Sequence, residues 1–144
     1  ILNSALRVAL KGQPYSIFVA DQRLWIPAHN LYTYPDVMVV PRPLERQQGR
    51  TDTITNPIVI AEVLSKSTKS YDRDEKFAAY RTIPTFQEYL LVDQYSIHVE
   101  QYFKTDPNQW IFTEYNDPQS TILLSSISVE ICLIDLYEGI GIEA

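Results

Sequence analysis

Apolar positions recur every three to four residues at the start of the chain, at Leu2, Ala5, Leu6, Ala9 and Leu10, and Gly12 with Pro14 ends the pattern. That spacing predicts an amphipathic helix whose apolar side covers a sheet. The period then changes. Residues 15–20 and 23–26 are rich in β-branched and aromatic side chains around Asp21 and Gln22, which predicts two short strands or one hairpin, and 34–40 predicts another strand. Residues 41–56 are polar and aperiodic, so they predict a mobile surface loop, of a length that usually signals function or disorder.

Ile58, Val59, Ile60, Ala61, Val63 and Leu64 form a nearly continuous apolar run, the pattern of a strand covered on both faces. Asp72 with Glu75 three residues later predicts the capped start of a helix over 72–81, with Phe77, Ala78 and Tyr80 toward the core and Pro84 beyond its end. Strands are predicted at 88–93, 96–104, 109–115 and 121–124, with turns at 106–108 and 116–118 and a short final helix at 134–137. No repeat or composition break divides residues 1–144, so the pattern describes one α/β domain with a mixed, curved sheet flanked by helices.

Composition narrows the function. Hydrophobic residues make up 45% of the 144 and charged residues 21%, and no apolar run approaches the ~20 residues that span a bilayer, so no membrane role is expected. Cys132 is the sole cysteine and stands among apolar residues, which predicts a buried thiol and excludes internal disulfides and thiolate metal clusters. The chain opens on Ile1 and shows no secretory signal, so an intracellular, cytoplasmic protein with upstream residues missing is expected. The net charge of −6 argues against a broad basic surface for nucleic acid. Arg42, Arg46, Arg50, Lys66, Lys69, Arg73, Lys76 and Arg81 nevertheless flank one strand, as a local basic patch or as ordinary solvated positions.

Chemistry concentrates at two acids, Asp36 in Tyr-Pro-Asp-Val-Met-Val-Val and Glu62 in Ile-Val-Ile-Ala-Glu-Val-Leu. A charge inside such an apolar strand is costly without compensation. Mg²⁺ takes hard oxygen ligands, usually one or two carboxylates with waters and a phosphate, and a nearby lysine can act as a point charge on a reacting phosphate. Lys76 lies where it could point back at both acids. Each residue also has a plainer reading: Asp36 as a turn cap after Pro35, Glu62 as half of an ion pair with Lys76, and Lys76 as a surface partner of Asp72. His29 and His98 fit no zinc spacing, and the tyrosines are expected to pack rather than stack on bases.

Together with Tyr34-Pro-Asp36, Ile60-Ala-Glu62-Val-Leu-Ser65, Ser67-Thr68, Tyr71-Asp-Arg73, Glu75-Lys-Phe77, Tyr80-Arg81, Glu88-Tyr89, Leu91-Val-Asp93 and Leu136-Tyr-Glu138, the chain resembles the Uma-type restriction endonuclease family within the PD-(D/E)xK nuclease superfamily. The resemblance covers almost the whole chain. It implies a restriction-endonuclease-like fold and Mg²⁺-dependent, or Mn²⁺-dependent, cleavage of DNA. The metal-binding acids carry over onto Asp36 and Glu62, with the Val63 carbonyl as a further ligand. Leu64 stands where the superfamily pattern has lysine, so the resemblance moves that function to Lys76, with Lys66 as a second candidate. Asp21 matches an acidic position after the first strand, an auxiliary metal ligand. The rival expectation is an inactive binding or assembly module that keeps the nuclease fold. A homodimer is expected for cutting two strands, with Trp25 or residues 133–142 at its interface.

Overall fold

The computed structural model describes residues 2–64 and 72–137, of Asp72 and Arg73 only the backbone. The opening helix is α1 (Leu2–Ala9), with Leu6 buried. Strands β1 (Tyr15–Val19), β4 (Val37–Pro41), β6 (Val59–Leu64), β7 (Glu88–Asp93), β8 (Val99–Asp106) and β9 (Gln109–Tyr115) form one six-stranded sheet in the order β1-β4-β6-β7-β8-β9. All neighbours are antiparallel except β6 and β7, which run parallel through a crossover containing a π-helical turn (Asp72–Lys76) and helix α2 (Phe77–Tyr80). The sheet is therefore mixed.

Alternation along these strands sorts side chains onto two cores. Val37, Val39, Val59, Ala61, Leu90 and Val92 face one side and pack with Leu6 of α1 and with Leu10 just beyond it. The same core takes in the hairpin of β10 (Thr121–Leu124) and β11 (Val129–Cys132) and helix α3 (Leu133–Tyr137). Met38, Val40, Ile60, Leu64 and Leu91 face the other side, against Ala79 and Tyr80 of α2, Phe86 and Tyr89. Phe77 stacks on Tyr89 with centroids 5.2 Å apart and meets Trp110 edge-on at 5.1 Å, so α2 is anchored at its start by rings.

Two expectations are corrected, the mobile loop and the buried thiol, while 15–26 takes the first of its two expected forms, two short strands. Residues 41–56 are ordered, because Ile54 of β5 (Thr53–Ile54) is buried and β5 pairs in parallel with β2 (Arg23–Ile26) in a second sheet, which β3 (Leu31–Thr33) completes. Buried Asn56 ties the excursion down by accepting from the Glu45 amide at 2.9 Å, and Arg50 closes it with two bonds to exposed Asp52, holding that carboxyl down at about 2. Residues 15–26 are consequently no hairpin, since β1 and β2 enter different sheets.

The stretch beginning at Leu133 offers no apolar docking face among its described residues, because Leu133, Leu136 and Tyr137 are buried in the chain's own core. Trp25 is half-buried and stacks on Tyr32 with centroids 6.2 Å apart.

Cys132 is exposed. Val129 and Ile131 take the inward positions of β11, so the two-residue period turns Glu130 and Cys132 to solvent. A thiol reagent is expected to modify the native protein at one equivalent without prior unfolding. Modification only in denaturant would refute this register.

Candidate active site

The acids meet because of register. β4 pairs antiparallel with β6 as Val37↔Ala61 and Met38↔Ile60, so the next step, just before β4 begins, sets Asp36 across from Glu62. Residues opposite one another in an antiparallel pair share a face, here the face covered by α2. The ladder stops there while β6 runs on to Leu64, and the Val63 amide left beyond the end donates to Asp36 Oδ2 at 2.7 Å. Asp36 thus substitutes its carboxylate for the missing backbone partner, and its own amide reaches Glu62 Oε2 at 3.4 Å.

Glu62 is 3% exposed. Its Oε1 accepts a 2.7 Å hydrogen bond from the Tyr80 hydroxyl, and Lys76 Nζ lies 3.9 Å away. Burial pushes the Glu62 carboxyl up to about 7, against the lowering pull of Lys76 and the Tyr80 hydroxyl, and the Asp36 charge adds to the rise. Burial, with the Glu62 carboxylate beside it, also raises the Tyr80 phenol, and the Thr33 side chain hydrogen-bonds it. Tyr80 is the site residue that sequence reasoning assigned only to the core. Its position three residues after Phe77 carried the signal, since a helix that buries a tyrosine must bring a polar partner to its hydroxyl.

The other candidates divide. Lys76 points at Glu62, so the surface pairing with Asp72 is not needed to explain it. Asp21 sits in the exposed turn after β1, at the same end of the sheet as Asp36. Among the described residues no three carboxylate, imidazole or thiol groups converge on a shared metal position. Lys66, and the motif positions 65–71 and 138, lie outside the described residues. The basic patch is dispersed where it is described: Arg42 bonds Ser16 and the Tyr15 carbonyl, Arg50 bonds Asp52, and Arg81 lies over the Phe77 ring at 4.7 Å. His98 pairs with Glu114 across the strands at 3.0 Å.

The donor chemistry fits a hard divalent cation. Among the described residues, Asp36 and Glu62 bring two carboxyl groups side by side, with Glu62 hidden from water, and oxygen ligands are what Mg²⁺ or Mn²⁺ takes.

A mixed sheet whose antiparallel pair brings an aspartate and a strand-borne glutamate together beneath a crossover helix defines an α/β, restriction-endonuclease-like protein. A solved structure shares that fold, "a putative nuclease belonging to DUF820" from Anabaena variabilis, at a TM-score of 0.77 over 96% of this chain and 77% of that one, with 16% identity. The chain belongs to the Uma2 family, described as "Putative restriction endonuclease", whose model matches residues 1–133. Two proteins of Synechocystis sp., both described as uncharacterized, are also similar. One is 41% identical over 89% of this chain and 72% of its own length, the other 35% identical over 92% and 68%. Family membership supports a nuclease function in general terms. No helix among the described residues is long and apolar enough to cross a membrane.

Proposed function

We propose that this chain is a divalent-metal-dependent endodeoxyribonuclease. The observation that carries the reading is the opposition of half-buried Asp36 and buried Glu62, an acid pair held in place by the Val63 amide and the Tyr80 hydroxyl with Lys76 alongside Glu62. Asp36 and Glu62 would hold Mg²⁺ or Mn²⁺, with the Val63 carbonyl as a further ligand. When bound, the cation supplies an acidified water and neutralises charge developing on the scissile phosphate. Lys76, 3.9 Å from the buried Glu62 carboxyl, would contribute a positive point charge that orients the attacking water or the phosphate oxygens. The Val63 amide keeps Asp36 turned toward the site, and Tyr80 fixes one oxygen of Glu62 so that the other faces Asp36.

The second reading, an inactive module on the same fold, is favoured by the net charge of −6 and by Leu64 at the position of the superfamily's lysine. Calorimetric titration of Mg²⁺ and Mn²⁺, alongside nicking of supercoiled plasmid, separates the two. Wild type is expected to bind metal and nick, and Glu62→Ala to lose metal binding and at least about 10²-fold in nicking. Absence of metal binding in the intact protein would sink the nuclease reading and leave the module.

A further inference from the structure

The six-stranded sheet has two edges, and they are treated differently. At the β1 edge, Arg7 donates to the Ile17 carbonyl at 3.2 Å and Arg42 donates to the Tyr15 carbonyl at 2.8 Å, so guanidinium groups occupy part of the strand's bonding capacity. Such covering is how a sheet avoids pairing with other chains. At the β9 edge, among the described residues, backbone bonding runs only to β8 and, at Gln109, to the Thr105 hydroxyl. The strand carries no proline and no lysine. Instead it exposes Ile111 at 54% and Phe112 at 46%, neighbours that alternation sends to opposite faces of the sheet.

We infer that β9 is the self-association edge of this protein, pairing antiparallel with β9 of a second copy about a two-fold axis to extend the sheet. An antiparallel pair of identical strands is self-complementary, so one surface serves both partners. Centring the pair on Phe112 sets the two Phe112 rings together and brings Trp110 opposite Glu114 of the second copy. Lys104 of β8 pairs with Trp110 and shares its face, so each row reads Lys104, Trp110, then Glu114 and Glu100 of the second copy, with Glu114 also held by its own chain's His98 at 3.0 Å. Opposite charges therefore flank both sides of the apolar centre. Seven residues give an edge about 24 Å long, less than a standard interface of about 800 Å² per partner requires, so the dimer is of the weak, reversible class.

Sedimentation equilibrium of the intact chain without metal or DNA, over micromolar to several hundred micromolar, tests this independently of the nuclease reading. The wild-type mass is expected to rise with concentration from 16.6 kDa toward twice that value. Ile111→Lys with Phe112→Lys should hold it at the monomer with circular dichroism unchanged, thermal unfolding falling only by what the Phe112–Tyr102 ring contact at 5.0 Å contributes, and Phe112→Leu, which keeps an apolar side chain there, should still dimerise. Glu114→Lys should weaken the dimer at least tenfold, and adding Lys104→Glu should restore it. A wild type that stays monomeric throughout, or a dimer that persists in the Ile111/Phe112 variant, would overturn the assignment.

Discussion

Glu62→Gln is expected to be more stable than wild type at pH 8 while losing its nicking activity. The folded-state pKa of about 7 stands above the ordinary 4.5, so between those values the folded chain holds a proton that the unfolded chain has released. Wild-type stability therefore falls as pH rises from about 4.5 to about 7 and levels off above. Glutamine carries no charge to desolvate and keeps an oxygen for the Tyr80 hydroxyl. A shift of this size corresponds to roughly 3 kcal/mol at alkaline pH, and the gap should close below pH 4.5. Urea unfolding of both proteins at pH 4.5 and pH 8 measures it. Equal stabilities at pH 8 would show that Glu62 is not held at a cost. On the proposed function, Mg²⁺ near 100 times its wild-type dissociation constant should raise wild type by about 2.7 kcal/mol and Glu62→Gln by less, because the variant keeps only one of the two carboxylate ligands.

Glu88→Ala is expected to lower stability by about 3 kcal/mol, the cost of stranding several buried donors. Glu88 is fully buried, and burial raises its pKa. Its Oε1 accepts from the Ser126 amide at 2.8 Å and from the Ser126 hydroxyl, and its Oε2 accepts from Gln101 Nε2 at 2.6 Å. Gln101 is itself fixed, donating to the Leu123 carbonyl at 2.8 Å and accepting from the Tyr115 hydroxyl at 2.7 Å. The network clamps the β10–β11 turn to the main sheet. Glu88→Gln should also destabilise, by less, since its amide would confront the Gln101 amide donor to donor. For a chain of this size the alanine variant should melt roughly 6–12 °C lower. A melting point within 2 °C of wild type would refute the clamp. The proposed metal site lies where the chain enters β4 beside Glu62 of β6, so on that proposal folded Glu88→Gln should still bind metal.

Periodicity is a local property, and the elements that rest on it could be read directly. Residues 88–93, 109–115 and 121–124 appear as β7, β9 and β10 with the bounds their apolar and turn residues mark. β11 went unread because Val129 to Cys132 is short and runs into the apolar Leu133-Ile134, which blurs an alternation that leaves Cys132 outside. The polar 41–56 segment misled for a related reason: its order comes from Thr53, Ile54 and Asn56 meeting β2 and Glu45, contacts invisible along the chain.

By itself the sequence determined the mixed α/β class, the family, and the choice of Asp36, Glu62 and Lys76 as the residues whose chemistry needs explaining. Only the tertiary structure decided that Asp36 stands across from Glu62, that Val63 and Tyr80 orient the pair, and that β9 is the bare edge. Side-chain type and spacing are written residue by residue, whereas strand register, crossover position and edge exposure follow from which distant segments bury one another's apolar faces.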